Sequence, residues 1–393
     1  MLNEPVIIIK GGSKMKDSLS INDVKSEIRS FSEKLKELPN NQLENGNWFA
    51  EVLKMVLTDH AKKVDGDYFK KKYLGSSNEK IAYKLIKTAS NYTALAGLTA
   101  ASAISAAELY SPKMKKGSLA LGASTFFGEI AYISYMQLKL IYDLSIVMDA
   151  RLDKNDPEDM LTIFWYSLGV NTWENVARTA LPVGVRSTAY LGRKALRSGI
   201  RKAITKFAAE IGGQKLARKI TEKAMLKFIV PVVNLPIAFY LNKNFTKKLG
   251  EIAIKSFKTR GVTIKTIDKL SEFDRYYQIL AIPLIFQIGI FSENDKCNSK
   301  NIEMQNNVLK RLLIQSDEEK IIDDLVEMDF DDFCEVLSKI DNEKVAHYLF
   351  DIATYSHLMC NNSNQEKFVK LSNALKIDLE EVNFEKYKNN LGK

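Results

Sequence analysis

The chain is short of the residues that make turns and covalent cross-links. Eight prolines and nineteen glycines in 393 residues are few, and β-sandwiches or barrels usually contain more. The three cysteines, Cys297, Cys334 and Cys360, are too few for a disulfide framework, which favours a reducing compartment. With 46% apolar and 27% charged residues, the chain is not of the disordered class and can bury a sizeable core.

The sequence also lacks the motifs of known reaction chemistry. It contains three histidines, His60, His347 and His357, and no H-E-x-x-H, G-x-S-x-G or C-x-x-C. The N-terminal apolar run is too short for a signal peptide. We therefore predict that the protein is not an enzyme, with no catalytic residues and no cofactor.

Histidine and cysteine raise one question of metal binding. His357 stands shortly before Cys360, and His347 with Cys334 would lie on neighbouring helices. These four residues have the ligand types of a zinc site. Their spacing matches no zinc module, however, and buried helical cysteine and histidine are common core residues. We predict no metal site.

Apolar residues recur at helical spacing from residue 21 onward. The pattern predicts a helix over 21–38, with Ser20 and Asp23 as its capping box, and further helices over 47–64 and 77–90. The basic tip at 70–73 is interpreted as a solvated loop. No region shows sustained alternation, so we predict an all-α fold with a multi-helix domain and a smaller acidic bundle.

Several apolar runs leave two interpretations open. The run 94–107 is built from small residues, and the longer run 117–148 is interrupted by Glu129, Lys139 and Asp143. A membrane span needs about 20 apolar residues without charge, and each charge at the bilayer centre costs roughly 2.5–3.5 kcal/mol. These helices are interpreted either as core helices or as a membrane-inserting hairpin; the runs 225–241 and 279–291 carry prolines and are also short.

Charge is unevenly distributed along the chain. Residues 181–260 hold 18 basic against 3 acidic residues, whereas residues 261–393 hold 16 basic against 24 acidic ones. A shift of this size indicates a change of domain or of partner. The central part favours an anionic surface, and the C-terminal part is repelled by one.

The centre of the basic region has the pattern of a membrane-surface helix. Aliphatic residues form one stripe between 196 and 211, and arginines recur beside it at spacings of seven and four. An ordinary solvated helix is the alternative; nucleic acid is not predicted as a partner, because a polynucleotide would explain the charge but not the adjoining apolar blocks. The predicted lipid-binding residues are Arg186, Arg193, Lys194, Arg197, Arg201, Lys202 and Lys206.

The acidic segment 317–343 is predicted to contact a protein partner. It contains twelve acids and two lysines between apolar residues at helical steps. The acids are expected mostly on the outer face.

Residues 90–261 resemble the EcsC family of bacterial proteins. The similar elements are Ala94–Ala107, Phe127–Met148, the turn Asp153–Leu161, Phe164–Leu168, Val230–Asn234, Phe245 and Ala253–Arg260. The resemblance implies an all-helical, membrane-associated protein linked to transport or envelope stress. It supplies no catalytic residues.

Residues 270–390 are similar to TerB-type helical domains, named for tellurite resistance. Ser299 with Glu303, and Ser363 with Glu366, stand where that family places Ser and Glu at a helix start. Because the family's Asp-Gly pair is missing both times, divalent-metal binding is not predicted.

Together these patterns predict three domains: an N-terminal helical unit (1–90), an EcsC-like domain (91–261) and a TerB-like acidic domain (262–393). We expect a cytoplasmic protein, peripheral at the inner face of the cell membrane, that docks on anionic lipid. A stress-response or phage-defence membrane effector is the extension of this hypothesis. The alternative is a soluble helical scaffold or metal-binding regulator acting through its acidic domain, with an unknown oligomeric state.

Overall fold

The computed structural model of the chain describes residues 20–36, 52, 55–110, 117–150, 152, 159, 162–163, 166, 235–290, 301, 303–304, 307–308, 311–312, 316–359 and 365–391. Within these ranges the chain forms eleven α-helices and two short π-helical segments, and no described residue lies in a β-strand. The predicted all-α fold is confirmed.

The chain divides into two compact units, each taken here by itself. The first contains residues 1–148, 152–170 and 208–254; the second contains 149–151, 171–207 and 255–393. The predicted boundaries at 90/91 and 261/262 both fall inside continuous helices. The three-domain division stays a prediction.

The helices of the first unit differ widely in length. Its described elements are α1 (Ile21–Lys36), a π-helical segment (Val56–His60), α2 (Gly66–Lys72), α3 (Asn78–Tyr110), α4 (Gly117–Val147) and the part of α5 (Leu235–Leu270) up to residue 254. The long helices α3 and α4 pack against each other, and α1 packs against both.

Helix α1 begins where its capping pattern predicts. The Ser20 backbone N–H donates to Asp23 Oδ2 at 3.2 Å, and the Asp23 N–H donates to Ser20 Oγ at 3.2 Å. Each side chain therefore satisfies a backbone donor of the other. Val24, Ile28 and Phe31 are buried at steps of four and three, and Phe31 lies 5.0 Å from the Tyr135 ring of α4.

The second half of α4 is the centre of the first unit. No residue from 131 to 148 is exposed, which describes a helix enclosed on every side. Leu138, Ile141 and Leu144 are all fully buried, and each such side chain contributes roughly 1.5–3 kcal/mol of burial. In this part of the run 117–148 the core interpretation holds.

Helix α5 approaches the other long helices closely at two places. A Cβ added at Gly250 would lie 2.5 Å from Ile86 Cγ1 of α3, so the glycine permits near contact of the two helices. One turn earlier, Thr246 Oγ1 lies 2.9 Å from Thr93 Oγ1 and accepts from Gln137 Nε2 at 3.2 Å. All three side chains are buried, and the network satisfies their polar atoms.

The second unit is a bundle of shorter helices around one apolar core. Its elements are the rest of α5, α6 (Arg275–Ile285), a π-helical segment (Phe286–Ile290), α7 (Ser316–Glu327), α8 (Phe330–Ser338), α9 (Glu343–Met359), α10 (Gln365–Ala374) and α11 (Phe384–Leu391). Phe333, Phe350 and Phe368 are among its most deeply buried side chains.

A bidentate ion pair joins α6 to α7. Arg275 Nε donates to Glu318 Oε1 at 2.6 Å and Arg275 Nη2 donates to Glu318 Oε2 at 2.8 Å. The same Nη2 also donates to the Leu312 carbonyl at 2.7 Å. Fork-to-fork geometry of this kind fixes orientation as well as adding energy.

The π-helical segment of the second unit is packed against a buried amide. Asn301 Nδ2 donates to the Gly289 carbonyl at 3.2 Å, and Ser356 Oγ of α9 donates to Asn301 Oδ1 at 2.7 Å. Asn301 and Ser356 are both fully buried. A Cβ at Gly289 would lie 2.2 Å from Asn301 Nδ2, so only glycine fits there.

Three sequence predictions of local structure are corrected, two of them only in the extent or the end of a helix. The predicted helix 77–90 continues to Tyr110, because the small residues after 92 sustain the helix. The predicted loop at Lys70–Tyr73 is the last turn of α2 and its C-cap, and Asp65 Oδ1 caps the start by accepting from the Tyr68 N–H at 2.7 Å. The predicted helix 47–64 ends in the π-helical segment and a turn.

Candidate functional site

The predicted lipid-binding residues lie outside the described part of the chain. This holds for Arg186, Arg193, Lys194, Arg197, Arg201, Lys202 and Lys206. The turn 153–161 of the EcsC resemblance is also largely outside it. Among the helices that the structure describes, none has the length and apolarity needed to cross a bilayer.

A described surface of mixed basic and apolar character lies on α5. Tyr240 is 65% exposed and Leu241 is 46% exposed, and Ile252 is also exposed. Lys247 and Lys248 are exposed on the same side of the helix, seven residues after the first two. We call these five residues the α5 outer face. Exposed aromatic and aliphatic groups beside lysines are typical of helices that lie at a membrane interface.

The candidate zinc ligands have separate surroundings. The His357 ring stacks on Phe368 at 4.2 Å and its Nε2 lies 3.2 Å from Gln365 Oε1. His347 is exposed and lies 3.8 Å from Glu343, and burial raises the pKa of the half-buried Cys334 thiol. Cys360 lies outside the described ranges. Those ranges contain no cluster of three or more His, Cys, Asp or Glu that could hold a metal ion.

The TerB-like positions show no shared site either. Glu303 is buried and accepts from Ser256 Oγ at 2.6 Å, whereas Glu366 is exposed and 4.0 Å from Lys370. Ser299 and Ser363 lie outside the described ranges.

Most described acids of the segment 317–343 point outward, as the pattern predicts. The exceptions are Glu318, which is buried in its pair with Arg275, and Asp323, which is partly buried. The exposed acids are Asp324, Glu327, Asp329, Asp331, Asp332, Glu335, Asp341 and Glu343.

Asp341 and Glu343 also line an open cavity of about 590 Å³ in the second unit. Phe350, Leu375 and Ile377 give the cavity an apolar wall. At its edge Tyr387 donates to Asp351 Oδ1 at 2.5 Å. Burial raises the pKa of Asp351, and the bond from Tyr387 opposes that shift.

A second, smaller cavity in the first unit was missed by the sequence predictions. It measures about 60 Å³ and is lined by His60, Lys72 and Thr88 together with Lys139 and Asp143 of α4. His60 Nε2 lies 2.5 Å from Asp143 Oδ1, although the two residues are 83 apart in sequence. The available signal was the spacing of Lys139 and Asp143, one helical turn apart in an otherwise apolar helix.

The electrostatics of this cavity follow from burial. Desolvation lowers the pKa of Lys139, and the charges of Lys72 and Lys63 act in the same direction, while the charges of Asp143 and Glu27 oppose the shift. Burial likewise raises the pKa of Tyr73, with a further contribution from Asp143. The cavity therefore brings several ionisable groups together beside α2, α3 and α4.

Comparison of the chain with protein-family models, with curated proteins and with solved structures gives no match. The resemblances to the EcsC and TerB families stay predictions.

Proposed function

We propose that the protein is a non-enzymatic, peripheral membrane protein that docks on anionic lipid at the inner face of the cell membrane. The docking residues would be Arg186, Arg193, Arg197 and Arg201 with the lysines between 194 and 206. The observation that carries the proposal is the α5 outer face, where Tyr240 and Leu241 are exposed next to lysines. Interfacial helices combine these two kinds of residue because rings and aliphatic chains enter the headgroup region while ammonium groups pair with phosphates.

The charge distribution along the chain supports docking with the basic region toward the membrane. An anionic membrane attracts the basic region 181–260 and repels the acidic residues after 261. Each lysine or arginine near such a surface adds about 1 kcal/mol. The acidic residues after 261 would then face the cytosol. A role as a stress-response or phage-defence effector at the membrane extends this proposal.

Vesicle flotation tests the proposal directly. The full chain should float with vesicles containing phosphatidylglycerol, should not float with phosphatidylcholine alone, and should be released by salt, since screening weakens exposed charge interactions. Reversing Arg193, Arg197 and Arg201 to Glu removes three cations, so binding should fall by roughly 3 kcal/mol or more, a factor of at least about 100.

The matched control reverses three exposed lysines of the acidic region after residue 261, Lys320, Lys339 and Lys344. It changes the net charge by the same amount and should leave flotation nearly unchanged. Equal loss in both variants would show that only net charge matters, and undiminished flotation of the arginine variant would contradict the proposal. In cell fractionation the protein should sediment with membranes and be extracted by carbonate.

A soluble scaffold that binds a protein partner through 317–343 is the second candidate. The observation that favours it is the continuity of the exposed acids with the 590 Å³ cavity, since Asp341 and Glu343 belong to both. Reversing Asp331, Asp332 and Glu335 to Lys should then remove a partner recovered by the wild-type chain. Reversing Glu33, Asp67 and Glu79 of the first unit should not.

A further inference from the structure

The small cavity of the first unit has the size and charge of a site for a tetrahedral oxyanion. A water molecule needs about 10–15 Å³ of such space, so about 60 Å³ accommodates roughly four waters or one anion of five heavy atoms. The lining residues include two lysines, Lys72 and Lys139, and one histidine, His60, against a single carboxylate residue, Asp143.

Lys139 is the lining residue that most favours a bound anion. It projects from the enclosed part of α4, and no described carboxylate lies within ion-pairing distance of its Nζ. Desolvation of this ammonium group is costly, and Asp143 and Glu27 offset the cost only by charge interactions from beyond ion-pair distance. Asp143 stands one turn further along, but its Oδ1 lies 2.5 Å from His60 Nε2.

Lys72 is positioned at the same cavity by aromatic contacts. Its Nζ donates to the Tyr68 hydroxyl at 3.2 Å and lies 5.6 Å from the centre of the Tyr73 ring. The exposed Lys70 and Lys71 precede it on α2. Clustered lysines raise the local concentration of anions at a cleft.

A cation fits the cavity less well. Asp143 is the one carboxylate among the cavity's lining residues, and His60 already contacts it. The described ranges also hold no group of three or more metal-ligating side chains. The balance of charge therefore selects an anion.

We propose that this cavity binds a phosphate-type oxyanion between Lys139 and Lys72, with His60 held in place by Asp143. The ligand is either free phosphate or the phosphomonoester headgroup of a lipid, since both present the same group. The site shares no residue with the α5 outer face or with the basic segment. Phosphate binding can therefore be tested separately from the proposed membrane docking.

Inorganic phosphate is the first probe. Phosphate, but not chloride at equal ionic strength, should raise the melting temperature of the full chain and give saturable binding by calorimetry. Lys139→Met should weaken phosphate binding at least tenfold, and Lys72→Met severalfold. Lys71→Met is the control, because Lys71 lies on the same helix but does not line the cavity; its binding should stay within twofold of wild type.

Lys139→Met should also remain folded, since it removes a desolvated charge and keeps the length of the side chain. Without phosphate its melting temperature should equal or exceed that of the wild type. If it fails to fold, Lys72→Met, at an exposed position, carries the test.

The second arm uses vesicles of phosphatidic acid and vesicles of phosphatidylserine at equal surface charge. If the bound phosphate belongs to a lipid headgroup, Lys139→Met should reduce flotation with phosphatidic acid vesicles and not with phosphatidylserine vesicles. If the ligand is free phosphate, the calorimetric signal should depend on Lys139, and the protein should float equally with both kinds of vesicle. Absence of any Lys139 dependence in both arms would overturn the proposal, whatever the flotation of the wild type.

Discussion

Replacement of Gly289 by alanine tests the packing of the second unit most directly. The new Cβ would lie 2.2 Å from Asn301 Nδ2, 2.5 Å from Asn301 Cγ and 2.5 Å from Ser356 Oγ. These distances are far below van der Waals contact, and both neighbours are fully buried. The Asn301 side chain must therefore move and lose its bonds to the Gly289 carbonyl and to Ser356.

The expected loss of stability follows from these contacts. Overpacking a core costs about 1–3 kcal/mol, and two lost hydrogen bonds cost about 0.5–1.5 kcal/mol each. The better helix propensity of alanine offsets roughly 0.5–1 kcal/mol. We expect Gly289→Ala to lower the free energy of unfolding by about 3 kcal/mol, within a range of roughly 1–5 kcal/mol given by the same terms.

Urea denaturation followed by circular dichroism, with hydrogen exchange of residues 275–290 and 343–359, measures this loss. Gly66→Ala is the control, because nothing lies within 4 Å of its added Cβ, and it should change stability by less than about 1 kcal/mol. In an Asn301→Ala background the space opens, so Gly289→Ala should cost at least about 1 kcal/mol less. Additive effects of the two substitutions would refute the reasoning.

Three further changes probe other contacts. Arg275→Lys cannot reproduce the bidentate pair with Glu318 and should destabilise the second unit by about 1–2 kcal/mol in urea titrations, a modest value because the arginine is partly exposed; no change would contradict the role of the fork. Thr246→Val removes the acceptor of Gln137 and should cost about 1–3 kcal/mol, whereas Thr246→Ser should cost less. Burial raises the pKa of Asp351 above 3.8, so the folded protein holds this proton more tightly than the unfolded chain. Its contribution to stability is complete below pH 3.8 and is lost as pH rises through the folded-state pKa. Asp351→Asn should flatten that decline, and an unchanged pH profile would exclude the buried carboxyl as its cause.

Local patterns in the sequence were sufficient for the fold class and for some helix ends. The reciprocal bonds of Ser20 and Asp23 occur as the capping box predicts, because the signal and the contact lie within four residues. The length of α3 was not predictable from apolar periodicity, since the small residues between 94 and 107 carry almost no amphipathic signal. Alanine-rich sequence nevertheless favours helix by propensity alone.

The candidate cavity could not be predicted from the sequence, for a different physical reason. His60 and Asp143 meet only after α4 has packed against the segment that precedes α2. In the sequence, Lys139 and Asp143 were interpreted as interruptions of an apolar run. The surroundings of these two residues depend on which neighbours the fold brings to them, and spacing along one helix does not contain that information.

The enclosure of residues 131–147 of α4 sets a condition on any large rearrangement of the first unit. To leave its surroundings, the helix would have to break the contact between His60 and Asp143 and withdraw Gln137 from Thr246. It would also expose the faces that now cover it on all sides. We therefore expect such a conversion to cross a high barrier and to be slow without a trigger.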